Sequence, residues 1–149
     1  MTDEELMALA IEAAHSAQKA GNPPFGSVVA RDGEVVAAGS NEELTSCDPT
    51  AHGEVVAIRA ACLQLGSLVL EGCTLYTTCE PCVICSGTIF ATKIRRVVIG
   101  LVWADAPSYF NMRKRSFFHL VDRAGYQVEY TSGVLREECR KLYTPASGK

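Results

Sequence analysis

The sequence predicts an α/β fold, a three-layer α-β-α sandwich with one mixed sheet of about five strands. Three observations carry this. Apolar residues recur at helical spacing near the N-terminus. An Asp-Gly pair joins two apolar runs, which is a hairpin signal. After that, short strand-like runs alternate with helical stretches and the turn residues that bound them.

The elements follow in order. Leu6, Leu9, Ala10, Ala13, Ala14 and Ala17 share one helical face in residues 4–20, and Gly21-Asn22-Pro23-Pro24 stops that helix. Phe25 to Ala30 and Glu34 to Gly39 read as strands joined at Asp32-Gly33. Asp48-Pro49 reads as an N-cap followed by proline, predicting a helix to about Leu65 that ends at Gly66. Cys73 to Thr77 is a short strand. Glu80-Pro81 repeats the cap-then-proline device and opens a helix from Cys82 to about Ala91. Arg96 to Leu101 is a Val/Ile-rich strand. A helix over 113–124, a strand from Tyr126 to Thr131 and a helix from Val134 to Tyr143 complete the order α-β-β-α-β-α-β-α-β-α.

Composition narrows the class. A chain of 149 residues with no internal repeat or linker predicts a single domain over 1–149, large enough to bury a core without disulfides. The absence of a long apolar run argues against a membrane partner. The acidic start Met1-Thr2-Asp3-Glu4-Glu5 is the reverse of a signal peptide, and seven cysteines is an odd number. Both fit a reducing cytoplasm. With 14 basic and 17 acidic residues the net charge is −3, which argues against a nucleic-acid partner and for a small molecule. Basic residues cluster only at Lys93/Arg95/Arg96 and Arg113/Lys114/Arg115, and each cluster reads first as a solvated face.

The chemistry lies in His52-Gly53-Glu54 and Pro81-Cys82-Val83-Ile84-Cys85. One imidazole and two thiols are three ligands for Zn²⁺, the number a catalytic zinc site uses, because its fourth position stays open for water. Cys82 and Cys85 are three apart, so one helical face presents both. Glu54 is placed to move protons. A closed structural zinc site is the rival reading, and Cys47, Cys62, Cys73, Cys79 and Cys139 are its candidates for a fourth ligand. No second C-x-x-C or H-x₃₋₅-H follows the motif. Cys79 reads as a neighbour of the pocket floor, and Cys47, Cys62, Cys73 and Cys139 as small buried hydrophobes.

This H-x-E…P-C-x-x-C pattern resembles the cytidine deaminase-like superfamily of zinc-dependent nucleobase deaminases, and the resemblance runs from Pro24 to about Val128. The segment from Asp48 to Arg59 is similar to bacterial guanine deaminases and tRNA-specific adenosine deaminases. Pro24-Phe25-Gly26 and Cys79-Glu80-Pro81-Cys82 are closer to the guanine deaminases. His-Gly-Glu itself is similar to yeast-type cytosine deaminase.

The resemblance implies that His52, Cys82 and Cys85 bind zinc and that Glu54 shuttles protons. It gives Asn41 to the substrate base, and Asp105 to a purine amino or ring N–H. Phe25 and Trp103 join them as pocket residues. Near position 91, where guanine deaminases carry a tryptophan, this chain has Ala91; either Trp103 fills that space or a larger substrate such as a nucleoside uses it. The implied activity is hydrolytic release of ammonia from a small amino-substituted nucleobase or nucleoside, with guanine or a related aminopurine leading. Cytosine is the first rival, and an extruded adenosine in tRNA the second. The same family resemblance implies a homodimer.

Overall fold

A computed structural model describes residues 1–106 and 117–143. Five strands form one sheet in the order β2-β1-β3-β4-β5. They are β1 (Gly26–Arg31), β2 (Glu34–Ser40), β3 (Cys73–Cys79), β4 (Arg96–Leu101) and β5 (Glu129–Ser132). β1 runs antiparallel to both β2 and β3, whereas β3-β4 and β4-β5 are parallel. The sheet is therefore mixed, as expected. Asp32 and Gly33 both have positive φ, 52° and 77°. That is the pattern a two-residue hairpin turn requires.

Helices cover both faces. α1 (Asp3–Lys19) and α5 (Arg136–Leu142) pack on one side, where Leu6, Met7 and Ala10 meet Val28, Tyr76 and Val98. α2 (Gly53–Leu65), α3 (Val83–Ala91) and α4 (Phe117–Ala124) lie on the other, where Ala57, Ile58 and Ile89 meet Val29, Leu75 and Ile99. Alternate residues of one strand thus serve opposite cores, the consequence of a period of two. α1 opens with a capping box between Thr2 and Glu5. A T-x-x-E before an apolar periodic run is a sequence signal for it.

Two helix starts differ from expectation. α2 begins at Gly53 with His52 at the N-cap, not at Asp48-Pro49. Asp48 Oδ1 instead accepts from the backbone N–H of Thr50 at 2.8 Å and from its hydroxyl at 2.7 Å, closing a local turn. α3 begins at Val83 with Cys82 at the N-cap, because Glu80 spends its carboxylate elsewhere. Other ends move by a few residues. β3 extends to Cys79, and β5 starts at Glu129. α4 begins, within the described residues, at Phe117. The end of α2 is as expected, with Gly66 in the left-handed conformation at φ 61°.

α2 runs back along the sheet from the end where β2 finishes, and α3 from the end where β3 finishes. Both helix N-termini therefore stand at the edge formed by the carboxyl ends of β2, β3 and β4 and the start of β1. Gly39 allows α2 to sit this close, since a Cβ there would collide with the backbone of Gly53 and Ala57.

Candidate active site and metal centre

His52 and Cys82 occupy the N-caps of α2 and α3, and Cys85 lies one turn into α3. The His52 Nδ1 is 3.3 Å from Cys82 Sγ and 3.4 Å from Cys85 Sγ, and the two sulfurs are 3.6 Å apart. A tetrahedral zinc with bonds of about 2.3 Å to sulfur and about 2.0–2.1 Å to nitrogen needs edges near 3.6–3.8 Å. The triangle fits that ion with slight opening. Among the described residues it is the one group of three or more His, Cys, Asp or Glu side chains placed to share a metal. Cys79 is not part of it, so the group has the three ligands of a catalytic site rather than four.

The two helix N-termini point backbone N–H groups at this spot, which favours anionic thiolates. Contact with Cys85, and then with His52, holds the Cys82 thiol well below its ordinary pKa, while the same contact with Cys82 raises that of Cys85. The imidazole of His52 is raised, first by Cys82.

Glu54 is buried at 5% exposure, and its Oε1 accepts from the Thr77 hydroxyl at 3.0 Å. Burial pushes its carboxyl above the usual range. A carboxyl so placed can hold a proton and release it, which general acid–base catalysis requires.

The pocket around this centre is lined by Phe25, Asn41, Glu43, His52, Glu54, Cys79, Glu80, Cys82, Cys85 and Trp103. Phe25, Asn41 and Trp103 of the expected substrate contacts are thus brought together with the metal triangle. Asp105 is not. It follows Trp103 by two residues and forms an ion pair with Arg136 at 3.5 Å, outside the pocket lining. Ala91 is exposed at the end of α3 away from the site, whereas Trp103 stands in the pocket.

Residues the sequence did not flag support the walls. Glu80, 4% exposed, accepts from the backbone N–H of Trp103 at 3.1 Å and of Phe117 at 3.2 Å. One carboxylate therefore pins Trp103 and the start of α4. Tyr143 stacks on Phe25 with ring centroids 5.1 Å apart, and its hydroxyl meets Thr78 Oγ1 at 2.8 Å. Its signal was an aromatic at the end of the last helix. Thr144 and Pro145, beside it in sequence, lie outside the described residues, as do Tyr109, Phe110 and the Arg113/Lys114/Arg115 cluster. Phe117 is fully buried in the core, and half-buried Phe118 packs against that core and on Tyr130.

Gly53, between His52 and Glu54, also has a physical reason. A Cβ there would lie 3.0 Å from the Phe25 carbonyl oxygen. That carbonyl accepts from the Asn41 backbone N–H at 3.0 Å. Of the remaining cysteines, Cys73 and Cys139 are buried as expected and Cys62 is half-buried, but Cys47 is exposed.

The comparisons with known proteins agree with this geometry. A model of the cytidine and deoxycytidylate deaminase zinc-binding region matches residues 1–101. The tRNA-specific adenosine deaminase of Haemophilus influenzae is 38% identical over 146 residues, covering 95% of this chain and 82% of that protein. The guanine deaminase of Bacillus subtilis is 48% identical over 83 residues, 56% of this chain and 53% of that one. Among solved structures, one from a study of A-to-I editing by tRNA:A34 deaminases superposes with a TM-score of 0.81 at 31% identity, covering 93% of this chain and 98% of that chain. The guanine deaminase structure from Bacillus subtilis gives 0.67 at 36%, covering 85% and 72%. With its metal triangle, its buried glutamate and these relatives, the chain belongs to the cytidine and deoxycytidylate deaminase zinc-binding family and is a zinc-dependent hydrolytic deaminase.

Proposed function

We propose that this deaminase acts on a small amino-substituted nucleobase or nucleoside, guanine or a related aminopurine, releasing ammonia. One observation carries the reading. The described pocket lining holds three carboxylates, Glu43, Glu54 and Glu80, and no lysine or arginine. Such a lining suits an uncharged heterocycle bearing N–H groups and opposes a polyanion. The basic cluster Lys93/Arg95/Arg96 stands at the start of β4, the opposite end of the sheet from the pocket. Arg95 is paired with Glu71 at 2.9 Å and Arg96 with Asp3 at 2.7 Å.

His52, Cys82 and Cys85 would hold the zinc. When bound, zinc brings the pKa of water to about 7 and so supplies hydroxide at neutral pH. Glu54 takes the proton from the attacking water. It delivers that proton to the ring nitrogen as the water oxygen bonds to the amino-bearing ring carbon. It then takes the second proton from the hydroxyl of that adduct and passes it to the amine, so that the C=O bond forms, the C–N bond breaks and ammonia leaves. Thr77 holds the carboxylate in place. Asn41 offers donor and acceptor to the base edge, and Phe25 and Trp103 supply aromatic surface. A homodimer belongs to the same proposal, on the family resemblance alone.

Similarity to a tRNA-specific adenosine deaminase over 95% of the chain favours a second reading, an adenosine extruded from tRNA. An ammonia-release screen over purines, pyrimidines, their nucleosides and tRNA separates the two. The expected result is turnover of an aminopurine that stays nearly flat between about 50 and 200 mM salt. A protein making 6–10 phosphate contacts loses roughly 10³–10⁵ in affinity over that range. Turnover of tRNA alone, falling steeply with salt, would replace the first reading by the second. Preference for cytosine would overturn the purine assignment.

A further inference from the structure

Glu43 lines the pocket, yet the chemistry above gives it no part. It lies in the loop between β2 and α2, two residues after Asn41. The two side chains are locked together. Asn41 Nδ2 donates to Glu43 Oε1 at 2.6 Å, and the Glu43 backbone N–H donates to Asn41 Oδ1 at 3.0 Å. This ring of two bonds fixes the plane of the amide. It leaves Asn41 one N–H and one oxygen lone pair for a substrate.

The same Glu43 Oε1 lies 3.5 Å from His52 Nε2. The other ring nitrogen, Nδ1, faces the two thiols. An imidazole that binds metal through Nδ1 carries its proton on Nε2, and a carboxylate facing that proton orients the ring and raises its basicity. One oxygen atom thus touches both the amide proposed to read the base and the histidine of the metal triangle.

We propose that Glu43 is a positioning residue that couples the metal ligand His52 to the substrate amide Asn41. A surface loop carboxylate would point to water; this one is two-thirds shielded and turned inward. The part concerning Asn41 rests on the substrate site proposed above. The part concerning His52 does not.

The test uses Glu43→Ala and Glu43→Gln with two readouts. Zinc affinity is measured by chelator competition without substrate, and kcat and KM on the heterocycle the enzyme turns over best. Glu43→Ala should weaken zinc binding by ~10–100-fold, the usual cost of losing an outer partner of a metal ligand. It should raise KM about tenfold and change kcat less, since Glu54 and the three ligands remain. Glu43→Gln keeps an oxygen that accepts from Asn41 and stays beside His52 Nε2 without the charge, so it should restore KM and recover only part of the zinc affinity. Adding Glu43→Ala to Asn41→Ala should raise KM no further while still weakening zinc, the non-additivity of coupled groups. Wild-type zinc affinity and KM in Glu43→Ala would overturn the proposal. So would an independent KM effect in the Asn41→Ala background. Should Glu43→Ala fail to fold, the near-isosteric Glu43→Gln decides through its zinc affinity, which falls if Glu43 supports His52 and stays at the wild-type value if it does not. A wrong substrate class leaves the zinc readout intact.

Discussion

Glu54→Gln is expected to keep its zinc and lose turnover by at least ~10²- to 10⁴-fold, the range general acid–base catalysis contributes. The reason is chemical. Glutamine matches the shape of glutamate and can still accept from Thr77 Oγ1, but it cannot carry a proton. The fold should not suffer. Burial raises the Glu54 carboxyl, so the folded protein holds that proton more tightly than the unfolded chain does. In zinc-free protein a raised carboxyl contributes stability at low pH that is lost as pH rises through its folded pKa. Removing the titration should therefore leave the melting temperature of the zinc-free variant at neutral pH unchanged or higher. Wild-type turnover in Glu54→Gln, measured by ammonia release at saturating substrate, would assign the proton transfer to another group.

Cys85→Ala should remove both zinc and activity. Cys85 is buried against Glu54 and Cys82, and its loss reduces the triangle to two ligands. Losing an outer partner of a metal ligand costs ~10–100-fold in metal affinity, and losing the ligand itself should cost more. The variant, purified with limiting zinc, should carry almost none and show background turnover. Restoring excess zinc should recover little, because two ligands cannot fix the ion. Full zinc content in Cys85→Ala would mean that another thiol, with buried Cys79 the nearest candidate, serves as a ligand.

Much of this was legible in the sequence, for identifiable reasons. β4 was read at its full length because Arg96 to Leu101 is a Val/Ile-rich run, and the hairpin because Asp-Gly tolerates positive φ at both turn positions. The metal triangle was legible because its residue types and helix-start spacing belong to few other chemistries. The start of α2 was misplaced because Asp48 can cap a helix or close a turn on its own neighbours, and only the path from β2 to His52 decides between them. The roles of Glu80, Glu43 and Tyr143 were illegible for a related reason. Each depends on a partner brought near by the fold: Trp103 and Phe117 for Glu80, His52 for Glu43, Phe25 for Tyr143. Asp105 shows the reverse. Its position in a motif suggested the pocket, and an arginine from α5 meets it instead.

The central claim is a zinc held by His52, Cys82 and Cys85 with one position left open. X-ray absorption at the zinc edge, combined with metal analysis of the active protein, tests it most directly. The account predicts about one zinc per chain, with two sulfur neighbours at about 2.3 Å and two nitrogen or oxygen neighbours at about 2.0–2.1 Å. A third sulfur, or active protein without zinc and with a Cys82–Cys85 disulfide, would contradict it.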